Sequence, residues 1–228
     1  MKGFFLVLEG TDGSGKTEQF NRLIKKLRAA GYTPKAVDFP QYGQPSAYFV
    51  EQYLTGKYGT WKEVGPFKAS FFYALDRFAA AQKIRKWLEQ GKIVVANRYV
   101  ASNLGHQGVK LADKKQRYNF FRWVEDLEYR ILGIPKPDIN FFLHMPADVA
   151  YKLIANKAKR KYLHGKKRDI HEGDISYLKQ AKKIYLEVIK LFPKDYLLIE
   201  CVPRGKLLAR EEIAEQIWQI FKKLYPGF

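Results

Sequence analysis

An α/β fold built on a five-stranded parallel sheet flanked by helices is predicted by two features of this sequence. Five apolar, β-branched runs alternate along the chain with stretches of helical periodicity. Strands buried beneath helices on both faces give that alternation. Between the first run and the first helical stretch lies Gly10-Thr11-Asp12-Gly13-Ser14-Gly15-Lys16-Thr17. It fits G-x-x-x-x-G-K-[ST] in the strand–loop–helix context which that pattern needs. No internal repeat, low-complexity linker or composition break divides the 228 residues, so 1–228 reads as a single domain.

The first strand is placed at 4–8, and its helix begins in the glycine-rich loop and runs to Gly31, a C-cap. Strand two covers 33–38. A helix of about 46–57 ends before the loop Tyr58-Gly59-Thr60. A long helix starts at Pro66, a residue suited to a first turn, and runs to Gln90 before Gly91. Strand three covers 93–97, and the Ser102…His106-Gln107-Gly108 stretch after it reads as a loop. A helix at 113–132 stops at Gly133, ahead of Pro135 and Pro137; strand four covers 138–143. The segment 147–158 follows with Pro146 at its start. A helix at about 173–191, strand five at 196–200 and an amphipathic helix at 208–224 complete the order.

Charge is the unusual bulk property: 41 Lys and Arg against 23 Asp and Glu give +18. Such a surplus suits a polyanion. Its densest part is Lys157, Lys159, Arg160, Lys161, Lys166, Lys167 and Arg168, with Lys179, Lys182 and Lys183 beyond. An enzyme that handles several phosphates needs cations of this kind. The first apolar run leads into the loop rather than to a small-residue cleavage site, and no apolar segment is long enough to span a bilayer. A lone cysteine, Cys201, sits in an apolar run; it reads as core and suits a reducing cytosol.

The loop predicts a nucleoside triphosphate. Its glycines let successive N–H groups converge on phosphate oxygens, and the helix N-terminus adds a positive dipole end. Lys16 reaches the outer phosphates and Thr17 offers a hydroxyl to Mg²⁺. Ligands sit beyond the carboxyl ends of parallel strands. That places Asp38-Phe39-Pro40-Gln41-Tyr42 and Asn97-Arg98-Tyr99 in the site. Tyr73 and Arg77, four apart, share a helix face that suits a flat base, whereas Phe71 reads as ordinary packing.

These motifs, in this order, resemble the thymidylate kinases over the whole chain. The resemblance rests on Leu8 to Thr17, Phe39-Pro40, Ala74-Leu75-Asp76-Arg77, Asn97-Arg98-Tyr99, Ser102…His106-Gln107-Gly108 and Lys136-Pro137-Asp138. It implies a P-loop nucleoside monophosphate kinase fold with a short basic lid at approximately 157–172. It also implies transfer of the γ-phosphate of ATP, with Mg²⁺, to dTMP, by a cytoplasmic homodimer. Gly10, Asp12, Gly13, Ser14, Gly15, Lys16 and Thr17 would hold ATP, with Arg204 in the Val202–Lys206 turn as a stacking plane for adenine. Asp12 would accept the sugar 3′-hydroxyl, Tyr73 would stack on thymine where the family usually has phenylalanine, and Arg77 would bond the base edge. Arg98 would hold the acceptor phosphate. Phe39, Pro40, Ser102, His106, Gln107 and Glu172 complete the expected dTMP side, His106 standing where the family commonly has an aromatic ring.

One choice between patterns found within the family and two departures from its usual pattern matter. The loop carries no arginine, so the resemblance assigns the catalytic cation to the lid, at Arg160 or Arg168, beside Lys16, Asp12 and Arg98. Asn97 stands where the family usually has an aspartate that organises Mg²⁺ through water. Gln41 and Tyr42 stand where an arginine often holds the acceptor phosphate. A deoxynucleoside kinase or another nucleoside monophosphate kinase is the alternative on this scaffold, and Glu9 is the carboxylate such a base would need. A nucleic-acid-binding NTPase ranks below both, because no zinc knuckle or RNP pattern accompanies the charge.

Overall fold

The computed structural model describes residues 3–155, 175–225 and 227. Its sheet has five strands: β1 (Phe4–Gly10), β2 (Lys35–Asp38), β3 (Ile93–Asn97), β4 (Ile139–His144) and β5 (Tyr196–Glu200). They lie in the order β2-β3-β1-β4-β5, every pair parallel, as the sequence predicts. β1 is buried along its whole length because it is the central strand with helices on both faces. Edge strand β2 instead alternates between partly buried and exposed positions.

Side chains of alternate residues divide the core in two. Leu6, Leu8, Ile93 and Val95 meet Phe20, Leu23 and Leu27 of α1 (Lys16–Ala29) and Ile213, Ile217 and Phe221 of α8 (Arg210–Leu224). Phe5, Val7, Val94 and Ala96 meet the opposite layer. That layer holds α3 (Trp61–Glu89), α4 (Val100–Gly108), α5 (Lys114–Glu125) and α7 (Ile175–Leu191). The short helices α2 (Tyr48–Leu54) and α6 (Ala147–Ala155) lie in the second and fourth connections between strands.

Three differences from the sequence reading have local causes. The stretch after β3, read as a loop, is helix α4. Its N-terminus is capped not by a neighbouring Ser or Asp but by Glu9, distant in sequence, whose Oε1 accepts from Tyr99 N (2.7 Å) and Ser102 N (3.0 Å). The long helix begins earlier than Pro66. Thr60 and Glu63 form a capping box that starts a turn at Trp61, and Gly65 (φ 75°, ψ 173°) then breaks the axis before Pro66 restarts it. Lys110 Nζ donates to the Gly65 carbonyl at 2.9 Å and to Tyr53 Oη at 3.0 Å, and burial pushes its ammonium down to about 7. The segment 126–131 continues α5 as a π-helical turn.

Phe71, read as core, is 44% exposed. It shares an open face of α3 with Phe67, Leu75 and Phe78. Cys201 is fully buried and its thiol is pushed up to about 12 by burial, which fits packing and not nucleophilic chemistry.

The doubly covered central strand predicts where stability resides. Leu6→Ala, at a fully buried β1 position, should lower unfolding free energy by about 2–5 kcal/mol in urea titrations. Leu198→Ala, at a 41% exposed β5 position, should cost less than about 1 kcal/mol.

Candidate active site

The carboxyl ends of β1, β2 and β3 converge on the glycine-rich loop. Gly13 has φ 80°, and a Cβ there would meet the Ala150 carbonyl oxygen at 2.3 Å, so only glycine lets the loop pass α6. Lys16 is buried and its Nζ donates to Thr11 O at 2.7 Å, folded over its own loop. The Ser14 hydroxyl is buried without a partner among the described residues. Thr17 opens α1 in an exposed position.

Across from this loop stands Arg98, at φ 66°, an uncommon conformation for a residue other than glycine. Its backbone N–H donates to Leu8 O at 2.9 Å, which keeps it on the central strand. Its Nη2 pairs with Asp12 Oδ1, and its Nη1 donates to Ser102 Oγ and His106 Nε2, each at 3.3 Å. Burial opposes the Arg98 charge, but Asp12, Tyr185 and Glu9 outweigh it and hold the guanidinium pKa above its ordinary value. The phosphate loop and β3 are thus joined by one ion pair.

The same geometry fixes the state of His106. A guanidinium cannot accept a hydrogen bond, so Nε2 must be the acceptor and Nδ1 carries the proton. Nδ1 then donates to Tyr177 Oη at 3.1 Å, while Tyr177 Oη donates to the His106 carbonyl at 3.2 Å. Tyr177 stacks on the imidazole (6.0 Å, 22°) and takes the edge of Trp61 at 5.6 Å. Burial, with Arg98, Lys16 and Lys110 acting against the influence of Asp12, pushes His106 down to about 3, and the ring is neutral at physiological pH.

Behind the site lies a second buried pair. Arg77 Nε and Nη2 donate to the two Glu128 oxygens at 2.5 and 2.6 Å, and Nη1 reaches Tyr99 O at 3.4 Å. Three of its five N–H donors are spent in this way. Asn103 Nδ2 donates to Glu128 Oε1 (3.0 Å) and Ser70 O (3.3 Å). The Oδ1 of Asn103 and the Oε1 of Gln107 are buried without partners among the described residues. Tyr73 is half-buried and meets Tyr53 edge-on at 6.2 Å.

Gln41 has its own structural task. Its backbone N–H donates to Asp76 Oδ2 (2.8 Å), and its Nε2 donates to Asp76 O (3.0 Å) and Oδ1 (3.2 Å), which ties the Phe39-Pro40 turn to α3. Phe39 is buried against Tyr99 at 5.6 Å. Arg204 is exposed in the turn after β5, at φ 52°. Arg160, Arg168 and Glu172 lie outside the described residues.

Asn103 carries no signal in a stretch that reads as a loop. On a helix, Tyr99, Asn103, His106 and Gln107 follow at spacings of three and four. Glu9, named from sequence only as the base a nucleoside kinase would need, has a structural task instead: a carboxylate at the end of an apolar strand signals that something must satisfy it. Both of its oxygens are used, Oε2 by Ser102 Oγ (2.8 Å) and Tyr185 Oη (3.4 Å), with burial raising its pKa against Arg98 and those bonds.

A model of the thymidylate kinase family matches residues 8–213. The chain belongs to that family. The thymidylate kinase of Mycobacterium tuberculosis is 30% identical over 184 residues, 80% of this chain and 84% of that one. The thymidylate kinase of Prochlorococcus marinus is 27% identical over 98% of this chain and 96% of its own. The human thymidylate kinase is 29% identical over 65% of each. A solved Candida albicans thymidylate kinase matches with a TM-score of 0.73 over 97% of this chain and 92% of its own; at 22% identity this is a likeness of fold. As a thymidylate kinase family member, the chain is an ATP-dependent nucleoside monophosphate kinase. No helix among the described residues is long and apolar enough to cross a membrane.

Magnesium fits the donors present. A hard cation takes oxygen ligands and retains waters, and the loop offers the exposed Thr17 hydroxyl with the unpartnered Asn97 Oδ1 close by.

The neutral His106 carries a pH signature. Its folded pKa lies below that of an unfolded histidine, so the unfolded chain binds the extra proton between about pH 6.5 and 3. Stability present above pH 6.5 is therefore lost as pH falls. His106→Gln should remove this component and flatten the acid limb by up to about 1.4 kcal/mol per pH unit in denaturant titrations. An unchanged acid limb would show that His106 is protonated in the fold.

Proposed function

We propose that the chain transfers the γ-phosphate of ATP to dTMP, with the Asp12–Arg98 pair as the element that aligns donor and acceptor. The pair is the observation that carries this reading: it couples the loop that would hold ATP to the residue that would hold the acceptor phosphate. Phosphoryl transfer asks a protein for positioning and positive charge, not covalent chemistry. Arg98 is already held by Asp12, Ser102 and His106, so little reorganisation accompanies binding. The second Asp12 oxygen would accept the sugar hydroxyl. Tyr73 and Arg77 would face the base, and one of the unpartnered oxygens of Asn103 and Gln107 would accept from the single N–H donor of thymine.

Bound with ATP, Mg²⁺ neutralises charge on the β- and γ-phosphates. Thr17, with Asn97 through water, would hold it, and the main-chain N–H groups of 10–17 with Lys16 would hold the phosphates. Arg204 would lie by the adenine. Arg160 and Arg168 of a lid within 157–172 would supply the cation that the loop lacks, and Glu172 a contact to the acceptor, in one kinase unit spanning 1–228. A single buried cysteine suits a cytosolic setting.

The occupation of Glu9 weighs against the nucleoside kinase alternative. A fully buried carboxylate with both oxygens engaged by α4 and Tyr185 is not placed to take a proton from a 5′-hydroxyl. A homodimer is supported by α3, where Phe67, Phe71, Leu75 and Phe78 are 44–49% exposed on one face.

The reaction is tested by ADP release with dTMP, dUMP, other monophosphates and thymidine. dTMP should be the preferred acceptor and thymidine inert. Arg98→Ala should lower kcat/KM for dTMP by about 10²–10³-fold, and at least one of Arg160→Ala and Arg168→Ala should lower kcat by about 10³-fold. Near-normal turnover in both lid variants would remove the lid proposal. For assembly, Leu75→Glu should convert a dimer to a monomer in sedimentation velocity; a monomeric parent chain would contradict it.

A further inference from the structure

Asp38 and Asn97 are direct neighbours in the parallel register of β2 and β3, so their side chains share the face covered by α1. Asn97 Nδ2 donates to Asp38 Oδ1 at 2.9 Å and lies 3.4 Å from Thr17 Oγ1. A carboxylate only accepts, so the Asn97 amide nitrogen must face Asp38 and its oxygen must face away. That oxygen, on a side chain only 4% exposed, has no partner among the described residues. An orphaned buried acceptor beside Thr17 needs a donor, and the water shell of a hydrated cation supplies one.

The neutral Asn97 brings no charge to such a cation, but Asp38 does. It is exposed at the carboxyl end of β2, reachable by water, and within hydrogen-bonding distance of the same amide nitrogen as Thr17. Among the described residues no three His, Cys, Asp or Glu side chains gather into a metal site of their own. Asp38 is the carboxylate hydrogen-bonded to the amide that faces Thr17, one strand further out than the position held by Asn97. We infer that Asp38 is the anionic positioning residue of the metal–nucleotide complex, acting through Asn97 and water. Asp38 orients the amide, and its charge raises the affinity of the complex for a divalent cation. The inference rests on the kinase reading above.

A purely structural role would need only a hydrogen-bond acceptor at position 38, and Asp38→Asn keeps one while removing the charge. Mn²⁺ affinity of the enzyme–ADP complex, read by electron paramagnetic resonance of free Mn²⁺, separates the two. Asp38→Asn should weaken Mn²⁺ binding by about 10-fold, the scale of losing an outer-sphere partner. The exchange Asp38→Asn with Asn97→Asp, which returns one carboxylate to the pair, should bring affinity back to within about threefold. Unchanged Mn²⁺ affinity in Asp38→Asn overturns the inference, as does an exchanged variant that keeps the parent melting temperature but stays weak. If the parent chain with ADP binds no Mn²⁺, the kinase reading itself fails, and the inference with it.

Discussion

Glu9 sits fully buried at the end of the central strand, and the arrangement around the site depends on how it is satisfied. An ionised carboxylate in an apolar layer would be costly alone. Here it replaces the missing cap of α4 by accepting from Tyr99 N and Ser102 N, and it holds the Ser102 and Tyr185 hydroxyls with its other oxygen. Strand β1, the β3–α4 junction and α7 are thereby locked to one another. Arg98 lies at that junction, and its left-handed backbone conformation is sustained because the residues on either side are held. The guanidinium can then bridge Asp12, Ser102 and His106 at once.

Two buried ion pairs with different tasks follow from this frame. Arg77–Glu128 is almost sealed from solvent and also organises Asn103, so it braces the junction of α3, α4 and the 126–131 turn. Arg98–Asp12 is more open on the arginine side, 18% exposed, and faces the loop. Breaking a buried pair by removing one partner typically costs about 3–5 kcal/mol. The first pair is therefore expected to govern folding and the second to govern chemistry. His106 stays neutral between them because it accepts from a cation and is buried. In that state it can orient Arg98 without competing for the same anion.

Much of this was legible in the sequence. All five strands and the phosphate loop could be read because burial on two faces writes continuous apolar runs and phosphate binding needs glycine at fixed positions. Placement was legible wherever it depends on a strand end, as for Arg98 and Asn97 at the end of β3. It was illegible where the partner is remote in the chain. Helix α4 looked like a loop because its cap is Glu9, some ninety positions earlier. Phe71 looked like core because a helical aromatic facing inward and one facing outward are the same letter. The early start of α3 is written in the Thr60–Glu63 capping box, but Pro66 reads as a first turn where the chain in fact makes a kink inside the helix.

Cys201 lies at the end of β5, sealed beneath the α8 layer, with its thiol held far from the ionised form at neutral pH. The chain consequently offers a silent background for thiol chemistry. A cysteine introduced on any exposed surface would be modified alone, without first deleting a native one. Fluorophores or spin labels could thus be attached pairwise to the two strand ends that flank the loop. Distances within the working enzyme would then be measurable on a protein whose core remains as evolution left it.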